Sequence, residues 1–263
     1  MKKLKERYRN YSSISNNEAF LLSLIKTHNL TVFGTKELYA LSRWQITRIH
    51  NTLFSLTKKR ILTRIKRDTY TQTEKLNENI FEIATTVVIP SYISFWTALS
   101  YYGFTEQQIQ TIQLISTRQA KHLKLNSHTI QTTTFQPREF YGYIRIEKFV
   151  IAEKEKTMID SLFQLEKCGG LQEYIKCLKN SWSELKKKKL LHYLILFNNR
   201  TLISRMGYLI EHLELDDGRI LDALEQNKSI SPVKFNPQKP RRGCYNKKWN
   251  VIINDVIVLE EIR

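Results

Sequence analysis

A chain of 263 residues with 41% hydrophobic side chains can fill one large or two ordinary domains and is too apolar for a disordered polymer. A net charge of +17, from 42 Lys and Arg against 25 Asp and Glu, points to a polyanionic partner; the three cysteines form no C-x-x-C pair, which fits neither a disulfide framework nor a zinc site. No apolar run approaches the roughly 20 residues that cross a bilayer, and the basic start has no apolar stretch of a signal peptide behind it, so a reducing, cytoplasmic setting without membrane is expected.

The charge is uneven. Residues 1–79 hold 16 Lys and Arg against 6 Asp and Glu, hence +10; the remaining 184 residues hold 26 against 19, hence +7. Asn16 and Asn17 can cap a first helix over 18–28, with Leu21, Leu24, Ile25 and His28 on its inner stripe. A short helix over 36–41, a tight joint and a longer helix over 44–58 come next. In the longer helix Ile46, Ile49, Leu53 and Leu56 recur at i, i+3, i+7 and i+10 and predict one buried stripe. A basic hairpin then alternates Ile61, Leu62, Ile65 and Tyr70 with Arg64, Lys66 and Arg67. Helix, turn, helix and two-stranded wing is the layout of a winged helix-turn-helix, which lays its second helix in a DNA major groove and its wing along phosphates.

This layout selects candidate DNA-contact residues. Gln45, Thr47, Arg48 and Asn51 lie off the apolar stripe, and such groups donate to or accept from base edges. Ser42 and Arg43 stand where the helix begins, and free backbone N–H groups there favour a phosphate. Arg64, Lys66 and Arg67 in the wing are placed against phosphates. The polar stretch 72–80 is taken as the boundary between a DNA-binding domain, 1–75, and a second domain, 76–263.

The second domain opens with helices over 77–87 and 92–101, split by Pro90, and Gly103 stands where a left-handed helix cap is wanted. Residues 110–151 are rich in Ile, Thr, Val, Phe and Tyr and predict three to five strands, with turns near 118–121, Pro137 and Gly142. Helices follow over 154–165, 171–180, 183–197 and 201–213; the lysines 186–189 read as a solvated face. Residues 232–243 hold three of the five prolines and form an extended basic loop, and the chain closes on a strand pair, 249–255 and 256–262. Strands flanked by helices without βαβ rhythm make the chain α+β, a winged helix-turn-helix followed by a mixed domain.

Signatures of chemistry are sparse. The six histidines make no H-x-x-x-H pair, no glycine-rich phosphate loop or G-x-S-x-G occurs, and Cys168 has no nucleophile context. Glu153, Lys154, Glu155, Lys156 and Asp160 form the most enzyme-like cluster, but they open a helix, where acids favour the first turn. Asp216-Asp217-Gly218 reads as a turn. No catalytic residue, metal or cofactor is expected.

The order of features resembles the AbiEi-type antitoxins of abortive-infection systems. The resemblance rests on the segment Tyr92–Gly103, on Ile151 and Ala152 leading to Glu155, Lys156 and Asp160, on Gly207-Tyr208 in a late helix, and on Trp249 with Asn254 near the end. It covers nearly the whole chain and implies two parts. An N-terminal winged helix would bind promoter DNA and repress its own operon. A C-terminal antitoxin domain would counter a nucleotidyltransferase-like toxin encoded alongside, with no catalytic activity of its own. Two other readings stay open: a transcription factor whose second domain dimerises or binds a ligand, and a nucleic-acid-cleaving enzyme guided by the wing.

Overall fold

The computed structural model describes residues 14–107, 110–125, 127–215 and 219–257. The chain is α+β and divides into two compact units, Met1–Val87 and Val88–Arg263.

In the first unit, α1 (Asn16–Thr27) starts two residues earlier than the sequence predicts. Its cap is Ser15 rather than Asn16 or Asn17. Ser15 Oγ accepts from the Glu18 N–H at 3.3 Å, and Glu18 Oε2 accepts from the Ser15 N–H at 2.7 Å, a reciprocal capping box. α2 (Thr35–Ser42) and α3 (Ile46–Lys58) are joined by three residues, of which Arg43 takes a left-handed conformation, φ 56°. β1 (Leu62–Lys66) and β2 (Thr69–Gln72) pair antiparallel, with a register shift between Arg64 and Lys66. The core of the unit joins Leu21, Leu22 and Ile25 of α1 to Leu38, Ile49, Leu53, Leu56, Leu62 and Tyr70. Three stripe residues fall outside it. Leu24 is half-buried, His28 is exposed, and Ile46 is 53% exposed; the inner face of α3 is Ile49, Thr52, Leu53 and Leu56.

The domain boundary lies later than residue 75. Leu76, Ile80, Ile83 and Ala84 are buried, the Thr73 N–H donates to the Ile61 carbonyl at 3.0 Å, and Lys66 Nζ donates to the Val87 carbonyl at 2.9 Å. The segment after the hairpin, with α4 (Ile80–Val87), therefore belongs to the first unit. Its polar residues mark an exposed face rather than a linker.

The second unit is built on a six-stranded mixed sheet. Its strands are β3 (Ser91–Ile93), β4 (Thr111–Ser116), β5 (Leu123–Leu125), β6 (His128–Thr134), β7 (Tyr143–Ile146) and β8 (Phe149–Ala152), in the order β5-β6-β4-β3-β8-β7. The β4–β6 and β3–β8 pairs are parallel and the others antiparallel. β3 corrects the expectation that the helix begins at 92: α5 spans Phe95–Tyr101. Gly103 takes φ 74°, the left-handed cap the sequence asks for.

Helices α6 (Lys154–Phe163), α7 (Leu171–Ser181), α8 (Lys187–Phe197), α9 (Arg200–His212) and α10 (Arg219–Gln226) follow. α8 starts four residues later than expected, because Trp182–Glu184 forms a separate 3-10 turn and Leu185 is extended. A small second sheet, ordered β10-β11-β9, joins β9 (Val233–Lys234), β10 (Cys244–Asn246) and β11 (Val251–Ile253). β11 pairs with β10 and β9; of its expected partner 256–262, the part from 258 onward lies outside the described residues. The Asp216–Gly218 turn lies outside them too. Among the described residues no helix is long and apolar enough to cross a membrane.

Candidate nucleic-acid interface

The sequence-selected residues gather around the joint between α2 and α3. Ser42 is half-buried, and its Oγ accepts from the Trp44 N–H at 3.1 Å, so it fixes the joint. Arg43 is exposed beside it. Gln45 is the N-cap residue of α3 but its side chain caps nothing, and Thr47 in the first turn is exposed, as is Asn51 one turn later.

Arg48 is also exposed, yet its guanidinium is held. It lies 3.8 Å from the Trp44 ring centroid and donates to Asn17 Oδ1, while Trp44 stacks on Phe20 at 5.0 Å. The three-layer stack Phe20–Trp44–Arg48 ties α1 to α3. Sequence reasoning passed over Trp44; its i, i+4 spacing from Arg48 was the available signal. Between α1 and α3 runs an open groove of about 440 Å³, lined by Asn17, Gln45, Thr47, Arg48, Asn51 and Ser55 among others.

In the hairpin Arg64, Lys66 and Arg67 are all exposed. Arg64 Nε donates to the Lys66 carbonyl at 3.3 Å, and Lys66 carries its bond to Val87. Arg67 sits in the turn next to Asp68, whose φ of 52° suits an Asp better than most residues. Asp68 Oδ1 accepts from the Thr35 N–H at 3.0 Å and from the Thr35 hydroxyl, so the hairpin tip caps the start of α2. Burial works to raise the Asp68 carboxyl, but the Thr35 hydrogen bonds outweigh it and hold it below its ordinary value.

The electrostatics of this stretch are one-signed. Between Glu37 and Asp68 the chain has eight Lys and Arg and no Asp or Glu. Glu18, which borders the groove, is buried against Lys59 Nζ at 2.8 Å and Ser55 Oγ at 2.7 Å. Burial alone would raise its carboxyl; the bonds from Lys59, Ser15 and Ser55 bring it below the ordinary value. Its charge is thus spent inside the unit. Along residues 38–67 a polyanion meets no carboxylate.

In the second unit most of the residues that carried the resemblance are interior ones; Tyr101 and Gly103 are exposed and Asn254 is half-buried. Lys156 and Asp160 are fully buried and form an ion pair. Asp160 Oδ2 also accepts from Ser94 Oγ at 2.8 Å and Tyr92 OH at 3.3 Å. Lys156 Nζ lies 4.9–5.7 Å from the rings of Tyr141, Phe197, Phe135 and Tyr92. Burial pushes the Asp160 carboxyl up, against the Lys156 ammonium and its hydroxyl donors. Glu155 is buried separately, with Oε1 accepting from the Lys186 N–H at 2.8 Å. Glu153 pairs with Lys189, and Lys154 with Glu184. The cluster read as enzyme-like is dispersed among different partners.

Of the lysine run, Lys186 and Lys188 are exposed, while Lys187 and Lys189 are half-buried. Gly207 is packed so closely on Trp249 that an added Cβ would lie 2.1 Å from a ring carbon. Trp249 Nε1 donates to Glu211 Oε2 at 2.7 Å, and Tyr208 meets Phe235 edge-on at 5.0 Å. Asn254 accepts from the Asn236 N–H at 2.8 Å, and its Nδ2 donates to the carbonyls of Asn236, Lys239 and Pro240. Cys168 and Cys177 are buried and Cys244 exposed, all three free; burial pushes both buried thiols up, Cys177 to about 12. Among the described residues no group of three His, Cys, Asp or Glu could hold a metal ion.

No family model and no curated protein matches the chain. Among solved structures, the crystal structure of the RV2827C protein from Mycobacterium tuberculosis is similar, with a TM-score of 0.63 over 91% of this chain and 92% of that one. The two are 11% identical, so the likeness is one of fold alone.

Proposed function

We propose that the first unit is a winged helix that binds promoter DNA, and that the chain is an antitoxin and autorepressor of the AbiEi type. The observation that carries the DNA reading is the acid-free cationic stretch 38–67, on a framework of three helices and one antiparallel hairpin. α3 is the reading helix, with Gln45, Thr47 and Asn51 toward base edges. Arg43, Arg64 and Arg67 lie beside it toward phosphates. Arg48, held on Trp44, is the cation between the two sets.

The second unit is assigned to countering a nucleotidyltransferase-like toxin. This part rests on the resemblance, and is supported by the way its motif residues build one interior. The nuclease reading has less support, since Glu155 and Asp160 are buried and engaged with different partners.

The full chain should retard duplex DNA from upstream of its own gene, and random duplex of equal length much less, at about 150 mM salt. Equal affinity for both would overturn the regulator reading. Co-expression with a neighbouring nucleotidyltransferase gene should restore growth; persistent toxicity would overturn the antitoxin assignment.

A further inference from the structure

α3 carries one residue that the DNA-contact set leaves out. Among the described residues Phe54, 72% exposed, is the most exposed aromatic ring of the first unit and makes no ring contact. A lone exposed ring is ordinary on a protein surface. Its position is what matters. At about 100° per residue, Thr47, Asn51, Phe54 and Lys58 follow one line along the helix, at i, i+4, i+7 and i+11. All four are exposed, and this line lies opposite the buried Ile49, Leu53 and Leu56. Phe54 therefore sits between a side chain suited to adenine and a cation, inside the stretch that has no Asp or Glu. Charge around the ring favours a polyanion, whereas the ring itself offers no hydrogen bond.

In a DNA major groove one apolar feature answers that description, the C5-methyl of thymine. We infer that Phe54 is a specificity-determining residue that packs on a thymine methyl, next to the base read by Asn51. The inference rests on the DNA-binding reading above and adds the base class to it. Three residues of helix rise about 4.5 Å and a base pair about 3.4 Å, which places the thymine roughly one to two base pairs from the base under Asn51. Phe54 thereby extends the reading line toward Lys58, which would meet the next phosphate.

The test removes only the methyl. Duplexes are selected from a random pool with the full chain, and each thymine of the selected site is replaced singly by deoxyuridine. For the wild type one position should lose roughly fourfold in affinity, the equivalent of one buried carbon. Phe54→Ala should bind the thymine site more weakly and show no further loss on that replacement, with an unchanged thermal melt because the ring is on the surface. If no thymine shows the penalty, or if the penalty persists in Phe54→Ala, the assignment of Phe54 is wrong while DNA binding stands. A pool that yields no enriched duplex overturns the DNA reading and this inference with it.

Discussion

Replacing Lys156 by Met strands a carboxylate in the interior, and the size of the penalty can be worked out. Asp160 is fully buried and keeps two donors, Ser94 at 2.8 Å and Tyr92 at 3.3 Å, but loses its countercharge. Breaking a buried pair in this way costs about 3–5 kcal/mol. The cost has a ceiling, because the carboxyl can take a proton instead. From an unfolded value near 3.9, protonation at pH 7 costs about 4 kcal/mol at 1.36 per unit. The sign follows from linkage. In the variant the folded-state value is raised further, so the neutral form is stable at low pH and the penalty grows as pH rises above about 4.

Urea unfolding followed by tryptophan fluorescence should therefore show Lys156→Met losing about 4 kcal/mol at pH 7 and less at pH 5, where protonating the stranded carboxyl costs less. Replacing Asp160 by Leu in the same chain should recover most of the loss, since two apolar side chains leave no charge behind. A loss under about 1 kcal/mol, or one equal at both pH values, would refute the account of Lys156–Asp160 as a pair that matters only when half of it is missing.

Other consequences are simpler to read. Gly207→Ala drives a methyl into Trp249 and should cost roughly 1–3 kcal/mol, seen as a lowered urea midpoint; an unchanged midpoint would contradict the packing. Asp68→Asn should weaken the clasp between hairpin tip and α2 by about 1 kcal/mol at neutral pH. Because Asp68 is held below its ordinary value, the wild type loses this stability as pH falls through the depressed value, so thermal melts of the two should converge in acid. Arg64→Ala and Arg67→Ala should each reduce the salt slope of DNA binding by about one and weaken specific and random sequences alike. A change confined to the specific sequence would place those side chains on bases.

The first unit was legible because its elements are long, periodic and capped. The three helices and the hairpin fall where apolar spacing puts them, within a few residues. Ile46 misled because a periodic pattern does not say where the covering neighbours stop. The boundary misled for a related reason: in 72–80 every fourth residue, Gln72, Leu76 and Ile80, is buried, and composition averages that away. In the second unit, Ser91–Ile93 is buried on all three residues, and a short apolar run has no period that separates strand from helix. The parallel pairing of β4 with β6 depends on a chain reversal through β5 that no local signal encodes. At the candidate interface, residue types were readable but engagement was not. Arg48 looks free in the sequence and is clasped in the fold.

The amide of Asn254 has a consequence beyond its own position. Its side chain continues the pairing just past the end of β11, accepting one N–H and donating toward three carbonyls of the segment 236–240. A side chain here substitutes for a missing rung of backbone. An aspartate at the same place could accept but not donate, and a glutamine would carry its amide one carbon too far. The course of a proline-rich stretch that also bears Lys239 thus hangs on one carboxamide, and the outline of that basic surface is written by a residue with no charge at all.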